Sequence, residues 1–172
     1  MDWRGRKAPL FSTEETENMR RAVITGLGPV TPIGIGKEAY WQALEEGKNG
    51  VGYITHLDTE KHDVKIAAKI KDFDPTQWLD KKEVRRTDKV IQFTVAAADL
   101  AIKDAALDVE SLDKNMFGVY IGTGDGGLQT LEDNVRTLLD KGPNRVSPFT
   151  VPMMITNMPA AYTAIRYGAQ GP

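Results

Sequence analysis

The first candidate for a binding or catalytic site is a glycine-rich loop, Gly122–Gly127. The residues before it, Phe117–Ile121, are mostly β-branched or aromatic and predict a short buried strand. Beyond it, apolar residues recur at spacings of three and four through Leu128–Leu139, which predicts one face of a helix. A glycine turn between a strand and a helix lets the backbone approach a ligand closely and presents amide donors at the positive helix end. The loop is therefore a candidate site, and a purely structural turn is the competing interpretation.

The loop also satisfies a dinucleotide-binding spacing, G-x-G-x-x-G, through Gly122, Gly124 and Gly127. Two features disfavour this function. Asp125 lies within the loop, where its carboxylate would repel a pyrophosphate. The acidic residue expected about twenty residues further on is missing from the stretch Lys141–Arg145. A nucleotide-binding oxidoreductase is thus the least favoured function.

A second candidate is a cluster of positive charge, because four cationic residues fall within the six residues Lys81–Arg86. One interpretation is a solvated helix face with mixed charges. The other is a surface that captures an acidic partner through charge complementarity. The charge pattern alone leaves both interpretations open.

The composition excludes several classes of protein. The 172 residues are 41% hydrophobic and 27% charged, as in an ordinary globular domain, and the net charge of −2 argues against a nucleic-acid or anionic-membrane partner. No apolar run approaches the roughly 18 residues of a spanning helix. There is no cysteine, and His56 and His62 lack a metal-ligand spacing, so no metal site and no cofactor is predicted. We expect a cytoplasmic protein.

Hydrophobic periodicity predicts strands and helices behind a flexible leader formed by residues 1–18. The predicted strands are Ala22–Thr25, Phe117–Ile121 and Val64–Ile70, the last with one solvated face. The predicted helices are Lys37–Glu46, Asp88–Ala106, Leu128–Leu139 and a last one that ends at Tyr167 before Gly168.

Three details of these elements can be checked against a structure. The longest helix should turn a stripe of five apolar residues to the core: Val90, Phe93, Ala97, Ala101 and Ala105. The segment Ser147–Pro152 should be extended because its prolines interrupt the periodicity. Pro159 should lie in the first turn of the last helix or introduce a kink.

Several motifs occur in one order along the chain and together carry a family resemblance. They are Met19–Gly28, Thr31–Gly34, Asp72–Phe73, Asp88–Gln92, Gly142–Phe149, Val151–Ile155 and Asn157–Met158. From Met19 to Pro172 the chain closely resembles the N-terminal half of the β-ketoacyl-[acyl carrier protein] synthases, the condensing enzymes of bacterial fatty-acid synthesis. The resemblance implies an α/β fold, namely the N-terminal half of a thiolase-like layered α/β/α/β/α architecture in which a mixed sheet carries helices on its faces. It also implies that residues 19–172 form one N-terminal ketoacyl-synthase domain.

The implied function is that of a 3-oxoacyl-[acyl carrier protein] synthase, an acyltransferase that condenses an acyl thioester with malonyl-carrier protein. In this family the nucleophilic cysteine follows soon after the glycine-proline pair that matches Gly171–Pro172, and the catalytic histidines and lysine come later. Because this chain has no cysteine, we expect the 172 residues to be an incomplete part of the enzyme and inactive by themselves.

The resemblance assigns a partner to the cationic cluster. Acyl carrier protein is strongly acidic, and four residues match its docking positions: Lys82, Arg85, Arg86 and Arg145. Asn144 stands where the family often has another cation. A homodimer is the implied assembly of the complete enzyme.

Two residues depart from the family at positions of the acyl pocket. Asp125 takes the place of a bulky apolar residue that gates the fatty-acyl channel, and Thr150 that of a phenylalanine which reaches the partner subunit's channel. An unpaired carboxylate buried against an alkyl chain costs several kcal/mol. We therefore expect either a shorter or more polar acyl group, or an Asp125 side chain bound by Thr123 or Asn157.

A second function remains open beside the enzyme. The chain could be a non-catalytic partner or scaffold that pairs with another synthase chain and binds carrier protein. The lack of a cysteine is compatible with both interpretations.

Overall fold

The computed structural model describes residues 21–172. The predicted leader, residues 1–18, and the first two residues of the motif that begins at Met19 lie outside this range. Within it are four strands and six α-helices. The strands are β1 (Val30–Thr31), β2 (Gly34–Ile35), β3 (Val51–Tyr53) and β4 (Ile66–Ala68). The helices are α1 (Lys37–Glu45), α2 (Lys81–Val84), α3 (Lys89–Asp104), α4 (Leu128–Lys141), α5 (Thr150–Met154) and α6 (Met158–Tyr167).

The core lies between α3 and α6. Ile91 and Val95 of α3 are buried together with Leu79, and Met158 and Tyr162 of α6 pack against them. The residues that α3 buries most deeply, Ile91, Gln92, Val95 and Ala96, are shifted around the helix from the predicted stripe.

The alanines of the predicted stripe have a different neighbour, the chain segment at Gly26 and Gly28. A Cβ atom on Gly28 would lie 1.9 Å from the carbonyl oxygen of Ala97, and one on Gly26 would lie 2.1 Å from that of Ala101. Small residues on both sides let the two backbones approach closely. The alanines thus serve a backbone contact, and the larger aliphatic residues fill the core.

The four strands form two separate antiparallel pairs, β1 with β2 and β3 with β4. In the second pair Val51 lies opposite Ala68, and Tyr53 lies opposite Ile66. The predicted strand Val64–Ile70 is therefore shorter than expected. All three residues of β4 are exposed, so the expectation of a single solvated face is wrong.

Two predicted strands, Ala22–Thr25 and Phe117–Ile121, pair with no other strand among residues 21–172. Burial of the second was expected, yet Tyr120 is 84% exposed. One backbone hydrogen bond, from the Gly171 amide to the Phe117 carbonyl at 2.9 Å, connects this segment to the C-terminal residues. Strand pairing depends on distant parts of the chain, so periodicity alone could not establish it.

Capping residues, a proline and a glycine set several of the helix ends. The Asp88 side chain caps α3 by accepting the Val90 amide, and Gly168 ends α6 in the left-handed region at φ 66°. Pro159 lies in the first turn of α6, where its missing amide hydrogen has no helical partner to lose. Each of these sequence predictions is confirmed.

The expectation of an extended segment over Ser147–Pro152 is wrong. Pro143–Arg145 forms a 3₁₀ turn, and α5 begins at Thr150. Pro152 is the third residue of α5, a position whose amide has no hydrogen-bond acceptor within the helix itself. The proline is therefore compatible with this helix.

Within residues 21–172 no helix combines the length and the apolar character needed to cross a bilayer.

Candidate functional site

The glycine loop packs against α5. The Gly127 amide donates to the Met154 carbonyl at 2.9 Å. A Cβ atom on Gly126 or Gly127 would lie 2.3 Å from the carbonyl oxygen of Met154 or Met153, respectively, and Gly126 has a φ of 64°. These two glycines therefore serve a close contact within the chain, as the structural interpretation of the loop predicted.

The N-terminus of α4, where a pyrophosphate would bind, is occupied by the chain's own carboxylate. Asp88 Oδ2 accepts the Thr130 amide at 3.2 Å and the Thr130 hydroxyl at 2.5 Å. Asp88 is only 8% exposed. An anion placed at this helix end would meet a buried negative charge, so the geometry disfavours nucleotide binding here.

The first half of the loop faces open space. A Cβ atom on Gly122 or Gly124 would meet no heavy atom within 4 Å. Asp125 is exposed, and its carboxylate makes no hydrogen bond or ion pair within the described range. Thr123, one of its two expected partners, instead donates its hydroxyl to the Thr156 carbonyl at 3.5 Å. The expected bond from Asp125 to Thr123 or Asn157 is therefore absent from residues 21–172.

The second pocket position, Thr150, is the first residue of α5 and is half-buried. Its hydroxyl donates to the Ser147 carbonyl at 2.7 Å. The glycine loop, which carries Asp125, contacts the C-terminal end of α5. The five residues of α5 therefore separate Thr150 at one end from the loop at the other. The fold thus connects two residues that are 25 positions apart in the sequence.

Three of the four predicted docking cations cluster at α2. Lys82 lies within it, Arg85 caps its C-terminus and Arg86 follows, and all three are exposed. The exposed fourth cation, Arg145, ends the 3₁₀ turn before α5. The Arg86 guanidinium lies 4.8 Å from the centre of the Phe149 ring, a cation–π contact between α2 and the segment that carries Arg145.

Helix α2 has only four residues, so its position depends on contacts outside it. Asp80 and Glu83 form a capping box: Asp80 Oδ1 accepts the Lys82 and Glu83 amides at 2.7 Å, and Glu83 Oε2 accepts the Asp80 amide at 2.8 Å. Glu83 Oε1 also accepts the Tyr162 hydroxyl at 2.6 Å, which ties α2 to α6. This link was not predicted, because no sequence pattern relates two residues 79 positions apart.

A groove of about 460 Å³ lies under α2. Its lining includes the apolar residues Ile91, Pro152 and Met158 and the cations Lys82 and Arg86. A volume of this size falls within the range of small-ligand and side-chain pockets.

Two pKa values within the capping network follow from these contacts. The Glu83 amide is the largest cause that lowers the pKa of Asp80, with further lowering by the Lys82 amide and by the nearby positive charges of Lys82 and Arg85. Burial, followed by the hydrogen bond to Glu83, raises the pKa of Tyr162 to about 12. Tyr162 is therefore a hydrogen-bond donor at neutral pH.

The histidines do not approach a metal-binding arrangement. His56 and His62 are both exposed. Across residues 21–172, no three His, Cys, Asp or Glu side chains converge in a way that could hold a metal ion.

Comparison with known proteins gives the family of this fold. The family model for the beta-ketoacyl synthase N-terminal domain matches residues 19–172. A 3-oxoacyl-[acyl-carrier-protein] synthase 2 of Synechocystis sp. is 51% identical over 153 residues, which are 89% of this chain and 37% of that protein. The chain thus spans little more than a third of the length of this relative.

Solved structures show the same architecture. The ishigamide ketosynthase/chain length factor has a TM-score of 0.76 at 28% identity, over 87% of this chain and 37% of that one. A type II PKS acyl-carrier protein in complex with its ketosynthase bound to the hexaketide matches with a TM-score of 0.72 at 23% identity, over 87% of this chain and 40% of that one. The α/β fold of the thiolase-like ketosynthases, expected from the sequence, is confirmed.

Proposed function

The chain belongs to the β-ketoacyl synthase family, and from this premise we propose that it is the N-terminal part of a 3-oxoacyl-[acyl carrier protein] synthase of fatty-acid synthesis. The match along residues 19–172 carries the proposal. Such an acyltransferase accepts an acyl group on a cysteine thiolate, decarboxylates malonyl-carrier protein and joins the two by Claisen condensation. Because the chain contains no cysteine, its 172 residues contribute binding surface and pocket wall to this chemistry and no nucleophile.

The partner of the α2 surface is an acidic acyl carrier protein. Lys82, Arg85 and Arg86 are exposed around one short helix, and Phe149 connects Arg86 to the segment of Arg145. Clustered exposed cations steer an acidic partner to the surface and orient it there. Carrier-protein docking is therefore the role that these four residues support best.

The docking role is tested by removing charge from the surface. Replacing Lys82 and Arg85 by alanine should weaken the binding of acyl carrier protein about tenfold at low salt and flatten the salt dependence. The matched control is Lys48→Ala, which removes an exposed cation from the loop after α1. Equal affinities of the double variant and the control, measured by fluorescence titration, would contradict docking at α2.

Asp125 and Thr150 shape the entrance for the acyl group in this proposal. Thr150 begins α5, and Asp125 belongs to the loop that contacts the C-terminal end of α5. The Asp125 carboxylate is exposed and has no hydrogen-bond or ion-pair partner in the described chain. A charged or hydrated side chain at this position disfavours a long alkyl chain. The acyl group accepted is therefore shorter or more polar than a long saturated chain.

The substitution Asp125→Ile in the intact synthase tests this pocket role. It should shift the ratio of kcat/KM values toward longer acyl chains by about tenfold, because an apolar wall replaces a carboxylate. The control Asp140→Ile changes an exposed aspartate of α4 outside the loop. An unchanged chain-length preference would refute the assignment.

A non-catalytic partner chain is the second candidate function, and the lack of cysteine in these 172 residues is compatible with it as well. The two functions differ in what the gene encodes after codon 172, where a condensing enzyme requires a cysteine-bearing continuation. In both cases we place the protein in the cytoplasm and expect pairing of synthase chains, as a homodimer for the enzyme.

A further inference from the structure

A negative charge lies within the cationic surface at α2. Glu83 lines the same groove as Lys82 and Arg86. It is also only three residues before Arg86, so the two opposite charges are close along the chain. A carboxylate that paired with these cations would reduce their attraction for an acidic partner and would itself repel that partner.

The structure directs this carboxylate away from the cations. Glu83 Oε1 accepts the Tyr162 hydroxyl at 2.6 Å and lies 3.8 Å from Arg166 Nη1, so both partners belong to α6. The second oxygen, Oε2, accepts the Asp80 amide at 2.8 Å. In the part of the chain that the structure describes, Arg166 is the only cation in an ion pair with Glu83.

The two α6 partners are themselves fixed. Arg166 Nη2 donates to the Trp78 carbonyl at 2.6 Å, which holds the guanidinium beside Glu83. Tyr162 packs against the buried cluster of α3, so its hydroxyl cannot leave Glu83 without disturbing the core. Because packing already restricts the Tyr162 side chain, its hydrogen bond to Glu83 costs little further side-chain entropy.

We propose that Tyr162 and Arg166 sequester the Glu83 carboxylate, so that Lys82, Arg85 and Arg86 remain available to an acidic partner. This inference rests on the proposed docking function and adds two positioning residues to it. Neither residue needs to touch the partner. They act by keeping Glu83 from adding to the negative charge of Asp80, whose carboxylate already lies near Lys82 and Arg85.

The test measures the association rate constant of the full chain with purified acyl carrier protein by stopped-flow fluorescence at low ionic strength. The substitution Tyr162→Phe removes the hydroxyl that binds Glu83 Oε1, so only Arg166 and the Asp80 amide still hold the carboxylate away from Lys82 and Arg86. Association should become about three- to tenfold slower. Adding Glu83→Gln to Tyr162→Phe removes the released charge and should restore the rate to within about twofold of the wild type.

The rescue separates electrostatic sequestration from loss of structure. A merely structural role for Tyr162 predicts a double variant as slow as the single one, and this result would overturn the inference. Arg166→Gln, alone and with Glu83→Gln, repeats the test if Tyr162→Phe fails to fold. The control Tyr53→Phe removes the hydroxyl of a tyrosine of β3 that is 82% exposed, and it should associate like the wild type.

The two proposals fail in different ways. If the wild-type chain binds no carrier protein, the docking function itself is wrong. If the wild type binds and Tyr162→Phe associates equally fast, docking stands and only the sequestration of Glu83 is wrong.

Discussion

At the scale of single residues, the Asp88 carboxylate connects two helices that are distant in sequence. One oxygen caps α3 through the Val90 amide, and the other accepts two hydrogen bonds from Thr130 in the first turn of α4. A carboxylate is favoured at both positive helix ends. Asp88 thus connects the first turn of α4, which follows the glycine loop, to the start of α3.

Replacing Asp88 by alanine should lower the free energy of unfolding by about 3 kcal/mol, because a cap is lost and Thr130 is left without its acceptor. Asp88→Asn keeps one acceptor oxygen and should cost about half as much. Urea unfolding measures both variants. The control Asp58→Ala removes an exposed loop carboxylate and should change the stability by less than about 0.5 kcal/mol. A loss for Asp88→Ala no larger than that of the control would contradict the dual role.

At the scale of elements, the position of the glycine loop depends on its backbone contacts with α5. Gly126 and Gly127 leave no room for a side chain against the Met153 and Met154 carbonyls. Gly122 and Gly124 have no such neighbour. The four glycines of one loop therefore serve different purposes: two pack, and two leave space open at the candidate pocket.

This division predicts opposite outcomes for two alanine substitutions. Gly126→Ala should lower the free energy of unfolding by about 2 kcal/mol or more, because a Cβ atom would lie 2.3 Å from the Met154 carbonyl at a positive φ. The matched variant Gly124→Ala should be neutral or slightly stabilising. Thermal unfolding of both proteins decides between this account and a uniformly flexible loop, for which the two variants would behave alike.

At the scale of the whole molecule, the described structure exposes much apolar surface. The predicted helix Leu128–Leu139 forms within α4, but all five residues of its apolar face are exposed: Leu128, Leu131, Val135, Leu138 and Leu139. Large exposed apolar patches mark interaction surfaces or cause aggregation. The α4 face places five such residues on one side of a single helix.

We therefore expect the purified chain to self-associate at micromolar concentrations. Replacing Val135 and Leu139 by lysine should shift the mass measured by light scattering toward the monomer, since charge on the patch opposes its burial. Ile165→Lys changes an apolar residue of α6 that is 79% exposed and serves as the control. A wild-type chain that stays monomeric at all concentrations tested would contradict self-association through the α4 face.

Local patterns in the sequence determined the helices, several of their ends and the surface location of the cationic run. Asp88 as a cap, Pro159 in a first turn and Gly168 at a helix end each act within a few residues, so the amino-acid order specifies them directly. The family was also predicted from the sequence, because several of its motifs occur along residues 19–172 in the family's order. The stripe of α3 was displaced, and α5 was missed, because periodicity does not reveal which neighbour each face meets.

Only the tertiary structure decided what Asp88, Glu83 and the last two glycines of the loop contact. Their partners lie 42, 79 and about 27 positions away in the chain. It also decided that Phe117–Ile121 has no strand partner among the described residues. The physical reason is the same in each case: contacts between distant segments depend on how whole elements pack, and no local preference of the backbone contains that information.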